Sequence, residues 1–138
     1  MVSKLIVLRW LEEPMPSIRR CLAWGRLLKQ AIDSYPAPLR VAVLGTGGLS
    51  HSIGEPTMGW IDEDFDHACI KHFEDGEDAR LAAFLTEALP RTGNGAHEIR
   101  DWVVAHAAAG SKGFELIDYF PSPETLVGAG FASWKVVQ

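Results

Sequence analysis

Residues 40–56 read RVAVLGTGGLSHSIGEP. The first five, Arg40–Leu44, are nearly all apolar and rich in valine. Such a run suits a strand covered on both faces, as in a parallel sheet. It passes straight into Gly45-Thr46-Gly47-Gly48, and a loop from Leu49 to Trp60 follows, punctuated by Gly54, Pro56 and Gly59. Upstream, Lys4–Trp10 (KLIVLRW) is a second β-rich run, ended by Pro14 and Pro16. Between the two runs, Ile18, Cys21, Leu22, Trp24, Leu27, Leu28 and Ile32 recur at helical spacing behind Ser17, a good N-cap. That helix should stop before Tyr35-Pro36-Ala37-Pro38. Strand, helix and strand in succession make a right-handed βαβ unit. The expected fold class is therefore α/β, with a βαβ core, a mostly parallel sheet and flanking helices.

Downstream of the loop, Asp62 is a second N-cap, and Phe65, Cys69 and Phe73 share one helix face. Further helices are expected over about Glu77–Leu89 and Ala96–Ala109, separated by the breakers in Pro90–Gly95. Phe114–Tyr119 and Ala132–Val137 read as strands or irregular edges. No repeat, low-complexity tract or linker interrupts the chain, so residues 1–138 are expected to form a single domain.

The 138 residues are 47% hydrophobic and 22% charged, the balance of an ordinary globular chain. A net charge of −5 without a basic patch argues against nucleic-acid binding and against attraction to acidic membranes. No apolar stretch is long enough to cross a bilayer, and no secretory signal is evident at the N-terminus. Cys21 and Cys69 lie in apolar helical patterns, which suits core thiols in a reducing cytoplasm. Five tryptophans favour a packed core and pocket walls.

Several motifs fail on inspection. A dinucleotide fingerprint needs a third glycine where Ser50 stands, and a P-loop needs a lysine that is missing. His97-Glu98 begins a zinc H-E-x-x-H motif, but its last position is Asp101. Asp62, Asp64 and Asp66 begin a calcium loop, but His67 and Phe73 occupy its glycine and glutamate positions. Those aspartates are expected to cap a helix and complement its dipole. His67 and His72, five apart, fall on different helix faces and read as surface residues.

Two candidates survive. His51 follows a buried strand and a glycine-rich turn, the place where open parallel sheets bind ligands. A loop histidine that bonds only its own turn is an equally good reading of that spacing. Glu98 stands in the first turn of a helix, where the dipole favours an ionised carboxylate suited to a metal. Taken by itself, the pattern favours an ordinary helix-start glutamate.

Longer strings shift that balance. GTGGLSH, then a glycine-containing loop, then IDEDFD, resembles the "GGLSH" segment and "N-x-x-F-D" helix start of the class III extradiol (LigB-like) ring-cleaving dioxygenases. NGAHEIRDWVVAHAA resembles that family's "hE-x-x-W" helix, and PMPSIRRCLAWGRLLKQAI its "P-s-x-R" helix. His51 and Glu98 lie 47 positions apart, a spacing similar to the family's. Within that family the strings resemble those of protocatechuate 4,5-dioxygenase β subunits and gallate-type dioxygenases. Asp62 departs from the asparagine common there.

The resemblance covers nearly the whole chain and implies the C-terminal half of a catalytic domain. It implies that His51 is the acid/base histidine and Glu98 the carboxylate of a 2-His-1-carboxylate site for non-heme Fe(II). The substrates implied are a catecholic aromatic acid, such as protocatechuate or gallate, and O2. A homo-oligomer or a small partner subunit is implied as well. The family's two histidine ligands belong to its N-terminal half, so this chain alone should not hold a competent iron site. The alternative is a non-catalytic domain with a structural or interaction role. The loop Ser52–Trp60 is expected to line the pocket, but no substrate contact is assigned.

Overall fold

The computed structural model describes residues 14–38 and 40–136. Four helices carry the core: α1 (Ile18–Asp33), α2 (Glu63–Asp75), α3 (Asp78–Ala88) and α4 (Ile99–Ala108). Short 3-10 turns at Leu89–Arg91 and Gly95–Glu98 join α3 to α4. A hairpin of β1 (Phe114–Ser122) and β2 (Val127–Trp134) completes the order.

The helices start and stop where local chemistry directs. The Ser17 side chain accepts from the amide of Arg20 at 3.2 Å and opens α1. The Asp62 carboxylate accepts from the amide of Phe65 at 3.0 Å and opens α2. Glu63, Asp64 and Asp66 lie in the first turn of α2, and Gly76 ends it in the left-handed conformation at φ 66°.

Helix α4 is apolar on nearly every side and buries Ile99, Trp102, Val103, Val104, Ala105 and Ala107. A helix of that kind belongs at the centre. Helix α1 lies against it at Gly25, where any Cβ would overlap the Val104 carbonyl and the Ala107 methyl. Beside α4, Phe73 is surrounded by Phe114, Trp102, Trp134 and His106, with ring centroids between 5.2 and 6.1 Å. Cys21 and Cys69 are buried free thiols, as their apolar surroundings require. Burial pushes Cys21 up to about 11, so it stays protonated.

The sheet departs from expectation. The chain is a mixed α/β structure, but among the described residues its sheet is a two-stranded antiparallel hairpin. Phe114 pairs with Trp134 and Ser122 with Val127, and a bulge falls between Leu116 and Asp118. Arg40–Leu44 forms no strand there, which corrects the expected βαβ core and parallel sheet. A run of that composition needs neighbours on its edges and cover on its faces. Among the described residues no strand pairs with this run, and Val41, Val43 and Leu44 are 48%, 39% and 83% exposed. The expected first strand, Lys4–Trp10, lies outside the described residues.

Of the two later segments, Phe114–Tyr119 lies within β1, whereas Ala132–Val137 overlaps β2 only at residues 132–134, because that strand begins at Val127; Val137 lies outside the described residues. The hairpin also reaches the glycine-rich turn. The amide of Leu49 donates to the Gly128 carbonyl and that of Gly128 to the Ser50 carbonyl, both at 2.9 Å. His51 sits opposite Val127 as an isolated antiparallel bridge. The Leu49–His51 segment is thus anchored on the start of β2.

Candidate active site

His51 and Glu98 come together. The Nε2 atom of His51 lies 3.8 Å from Oε2 of Glu98. The imidazole is buried, whereas the Glu98 side chain keeps 27% of its surface open. The His51 Nδ1 atom lies 3.1 Å from the Leu49 carbonyl oxygen. A carbonyl only accepts, so that partner assigns the proton to Nδ1. Nε2 is the ring nitrogen that faces Glu98, and in the neutral ring it holds the lone pair.

Glycines make the approach possible. A Cβ at Gly95 would overlap the His51 ring, and one at Gly47 would overlap the Glu98 carboxylate. Gly47 also has φ +99°, a conformation that side chains resist. The amide of Gly95 donates to the His51 carbonyl at 3.1 Å. Asn94 grips the next part of the loop with both ends of its amide. Its Oδ1 accepts from the amide of Ile53, and its Nδ2 donates to the Ile53 carbonyl, each at 2.9 Å.

Glu98 stands at the N-cap position of α4, at the end of the 3-10 turn, as its place at a helix start predicted. Arg100, two residues on, donates from Nε to the Pro16 carbonyl at 2.9 Å. Its NH1 group reaches Nδ1 of His97 at 2.6 Å. These contacts tie the start of α4 to the entry of α1, which holds the turn carrying Glu98.

Asp66 lies in the first turn of α2, as expected of a carboxylate that complements the helix dipole, and it is also fully buried. Its Oδ1 accepts from the amide of Ser50 at 2.7 Å. Its Oδ2 accepts from the Ser50 hydroxyl at 2.9 Å and from the Tyr119 hydroxyl at 2.8 Å. Burial raises its carboxyl above the ordinary range, and those donors oppose the rise. The same pairing and burial hold the Tyr119 hydroxyl protonated. Periodicity could not mark Asp66, because aspartates four apart at a helix start look alike until packing chooses one of them.

His67 and His72 stay away from this pair. The exposed His67 ring meets Tyr119 edge-on at 4.9 Å, and the half-buried His72 stacks on Phe84 at 4.6 Å. Among the described residues no three His, Cys, Asp or Glu side chains converge as a metal site. One carboxylate beside one imidazole does not complete the three-ligand set of a facial triad. The residues present therefore do not fit such an ion by themselves.

Comparison with known proteins adds a separate observation. The profile of the family described as the catalytic LigB subunit of aromatic ring-opening dioxygenase matches residues 4–131. A gallate dioxygenase of Pseudomonas putida is 30% identical over 94 residues, 68% of this chain and 28% of that protein. A 2,3-dihydroxyphenylpropionate/2,3-dihydroxicinnamic acid 1,2-dioxygenase of Mycolicibacterium paratuberculosis is 29% identical over 168 aligned positions, 86% of this chain and 52% of that protein. Its counterpart in Paraburkholderia phymatum is 28% identical, over 85% of this chain and 51% of that protein. The chain thus spans about half the length, or less, of these curated relatives.

Proposed function

The chain belongs to the LigB family of aromatic ring-opening dioxygenases, and from that membership we propose that it is the C-terminal portion, as one domain, of an enzyme that cleaves a catecholic aromatic acid with O2 beside its diol. In this reading His51 is the acid/base residue and Glu98 is one ligand of a non-heme Fe(II). Protocatechuate and gallate are the proposed substrates, and the cytoplasm is the proposed location. A second copy or a small partner subunit completes the assembly.

The observation that carries the proposal is the arrangement of the His51 ring. Nδ1 is committed to the Leu49 carbonyl, so Nε2 is the basic atom, and it stands 3.8 Å from Glu98. A neutral imidazole placed in this way takes a phenolic proton from the substrate and returns it later. Leu49, Ser50 and Ser52 beside it are buried, which keeps the ring in one orientation. The described residues offer one carboxylate, so no step is assigned to the metal here. The two further ligands that a facial triad requires would come from outside the described residues.

The test uses the complete gene product, loaded with Fe(II) without air and given protocatechuate or gallate, then oxygen. A coloured ring-opened product should form, and it should be lost in His51→Ala and in Glu98→Ala. Full activity of Glu98→Ala would sink the assignment of that residue. The 138-residue chain alone should take up no stoichiometric Fe(II), and tight binding would overturn the account of ligands from elsewhere. No helix among the described residues is long and apolar enough to cross a membrane, so the assay is designed for protein without detergent.

A further inference from the structure

We propose that Asp66 is a positioning residue for His51, acting through Ser50. The proposal rests on the reading of His51 as the acid/base group, and it assigns a task to a carboxylate that the proposed chemistry does not itself use.

The geometry runs in one connected chain. Ser50 directly precedes His51, and both of its donors end on Asp66: the amide on Oδ1 at 2.7 Å and the hydroxyl on Oδ2 at 2.9 Å. The Ser50 hydroxyl in turn accepts from the amide of Asp62 at 2.8 Å, so the turn is fastened to the first turn of α2. The Ser50 carbonyl accepts from Gly128, which fastens the same residue to β2. Tyr119, on β1, donates to the remaining side of Oδ2. Every polar group of Ser50 is therefore taken, and Asp66 takes two of them.

Backbone freedom at Ser50 would swing the Leu49 carbonyl and the His51 ring relative to each other. Their contact at 3.1 Å is what keeps the proton on Nδ1 and the lone pair on Nε2. Hydrogen bonds to a charged acceptor are among the stronger ones in a protein, and several in one buried network reinforce each other. Space around the carboxylate is also closed. A Cβ at Gly128 would overlap Asp66 Oδ2, so β2 is held against it at a glycine. A carboxylate needed only to complement the helix dipole would sit at the surface in the first turn of α2, as Glu63 and Asp64 do.

The test reads the ring rather than turnover, so it is independent of whether ring cleavage is the reaction. In the 138-residue chain, nitrogen chemical shifts of His51 should report a proton on Nδ1 and none on Nε2. The Ser50 amide should exchange slowly. In Asp66→Asn the amide nitrogen faces donors, so the His51 tautomer should become mixed, and Ser50 exchange should speed up by roughly tenfold or more. Tyr119→Phe removes one donor and leaves both Ser50 bonds, so the His51 pattern should stay as in the parent.

A folded Asp66→Asn chain with the parent His51 shifts would overturn the proposal, and so would rapid Ser50 exchange in the parent chain itself. If Asp66→Asn does not fold, Ser50→Ala decides. It removes the hydroxyl arm and should move the His51 ring shifts, whereas Ser52→Ala, whose hydroxyl bonds to Glu55 and Thr57 within the loop, should not. His51 shifts in Ser50→Ala identical to the parent would overturn the proposal. Ring-cleavage activity lost in His51→Ala but retained in Asp66→Asn would separate the two claims.

Discussion

Two buried histidines each face a carboxylate at nearly the same distance, yet they present opposite chemistry. His51 Nε2 lies 3.8 Å from Glu98, and His106 Nε2 lies 3.6 Å from Asp78. In His51 the far nitrogen donates to the Leu49 carbonyl, so in the neutral ring the near nitrogen carries the lone pair. In His106 the far nitrogen accepts from the Trp134 indole at 2.8 Å, so the near nitrogen carries the proton. The third group, not the carboxylate, decides which tautomer each ring adopts. His106 Nε2 is also a poor metal ligand, because a metal there would require a proton on Nδ1, facing the Trp134 donor. One ring turns its second nitrogen towards Glu98 beside the glycine-rich turn, and the other is a polar part of the aromatic core.

The comparison can be tested where it should break most sharply. Phe73 touches His106 and not His51, so Phe73→Ala should cost about 3–5 kcal/mol. Chemical denaturation should show that loss, while a folded fraction keeps the parent His51 spectrum. Next in size, Gly95→Ala puts a methyl into the His51 ring. It should cost about 1–3 kcal/mol and shift His51 while leaving His106 alone, the reverse of the first pattern. Trp134→Phe removes the donor to His106 Nδ1 and should cost about 1 kcal/mol. Nitrogen shifts should then show the His106 proton redistributed between its two positions; an unchanged Nε2–H tautomer would mean that Trp134 does not set it.

Acid should act on His106 as well. Burial lowers its affinity for a proton below the ordinary 6.5, and Asp78 only partly opposes this. The unfolded chain then binds the proton more readily than the folded one. Stability from this group is complete above about pH 6.5 and is lost as pH falls through the depressed folded value. Melting temperatures taken across that window should fall less steeply in His106→Gln. The smallest effect belongs to Arg26, whose guanidinium pairs with Asp78 at the surface. Arg26→Ala should change stability by about 1 kcal/mol or less, and high salt should erase the difference.

Much of this molecule was legible in its sequence. Ser17 and Asp62 open their helices, and the breaker at Tyr35-Pro36 stands just beyond the end of α1, because caps and turns are local chemistry. The GGLSH and NGAHE strings pointed to His51 and Glu98, which the fold brings within 3.8 Å across 47 positions. The parallel sheet finds no support among the described residues, for an equally physical reason. Composition reports what Arg40–Leu44 would bury, but a strand exists only where a neighbour supplies the ladder.

By itself, then, the sequence determined the helices, the family and the two residues worth testing, since these depend on short-range pattern. The tertiary structure alone decided which aspartate of the Asp62–Asp66 run is buried, where Asn94 grips the loop, and which nitrogen of each histidine holds the proton. Those outcomes depend on partners distant in the chain, such as Gly128, Tyr119 and Trp134, that no local pattern announces. Only after packing has removed water does a hydrogen bond to one chosen partner outweigh the alternatives that solvent would offer.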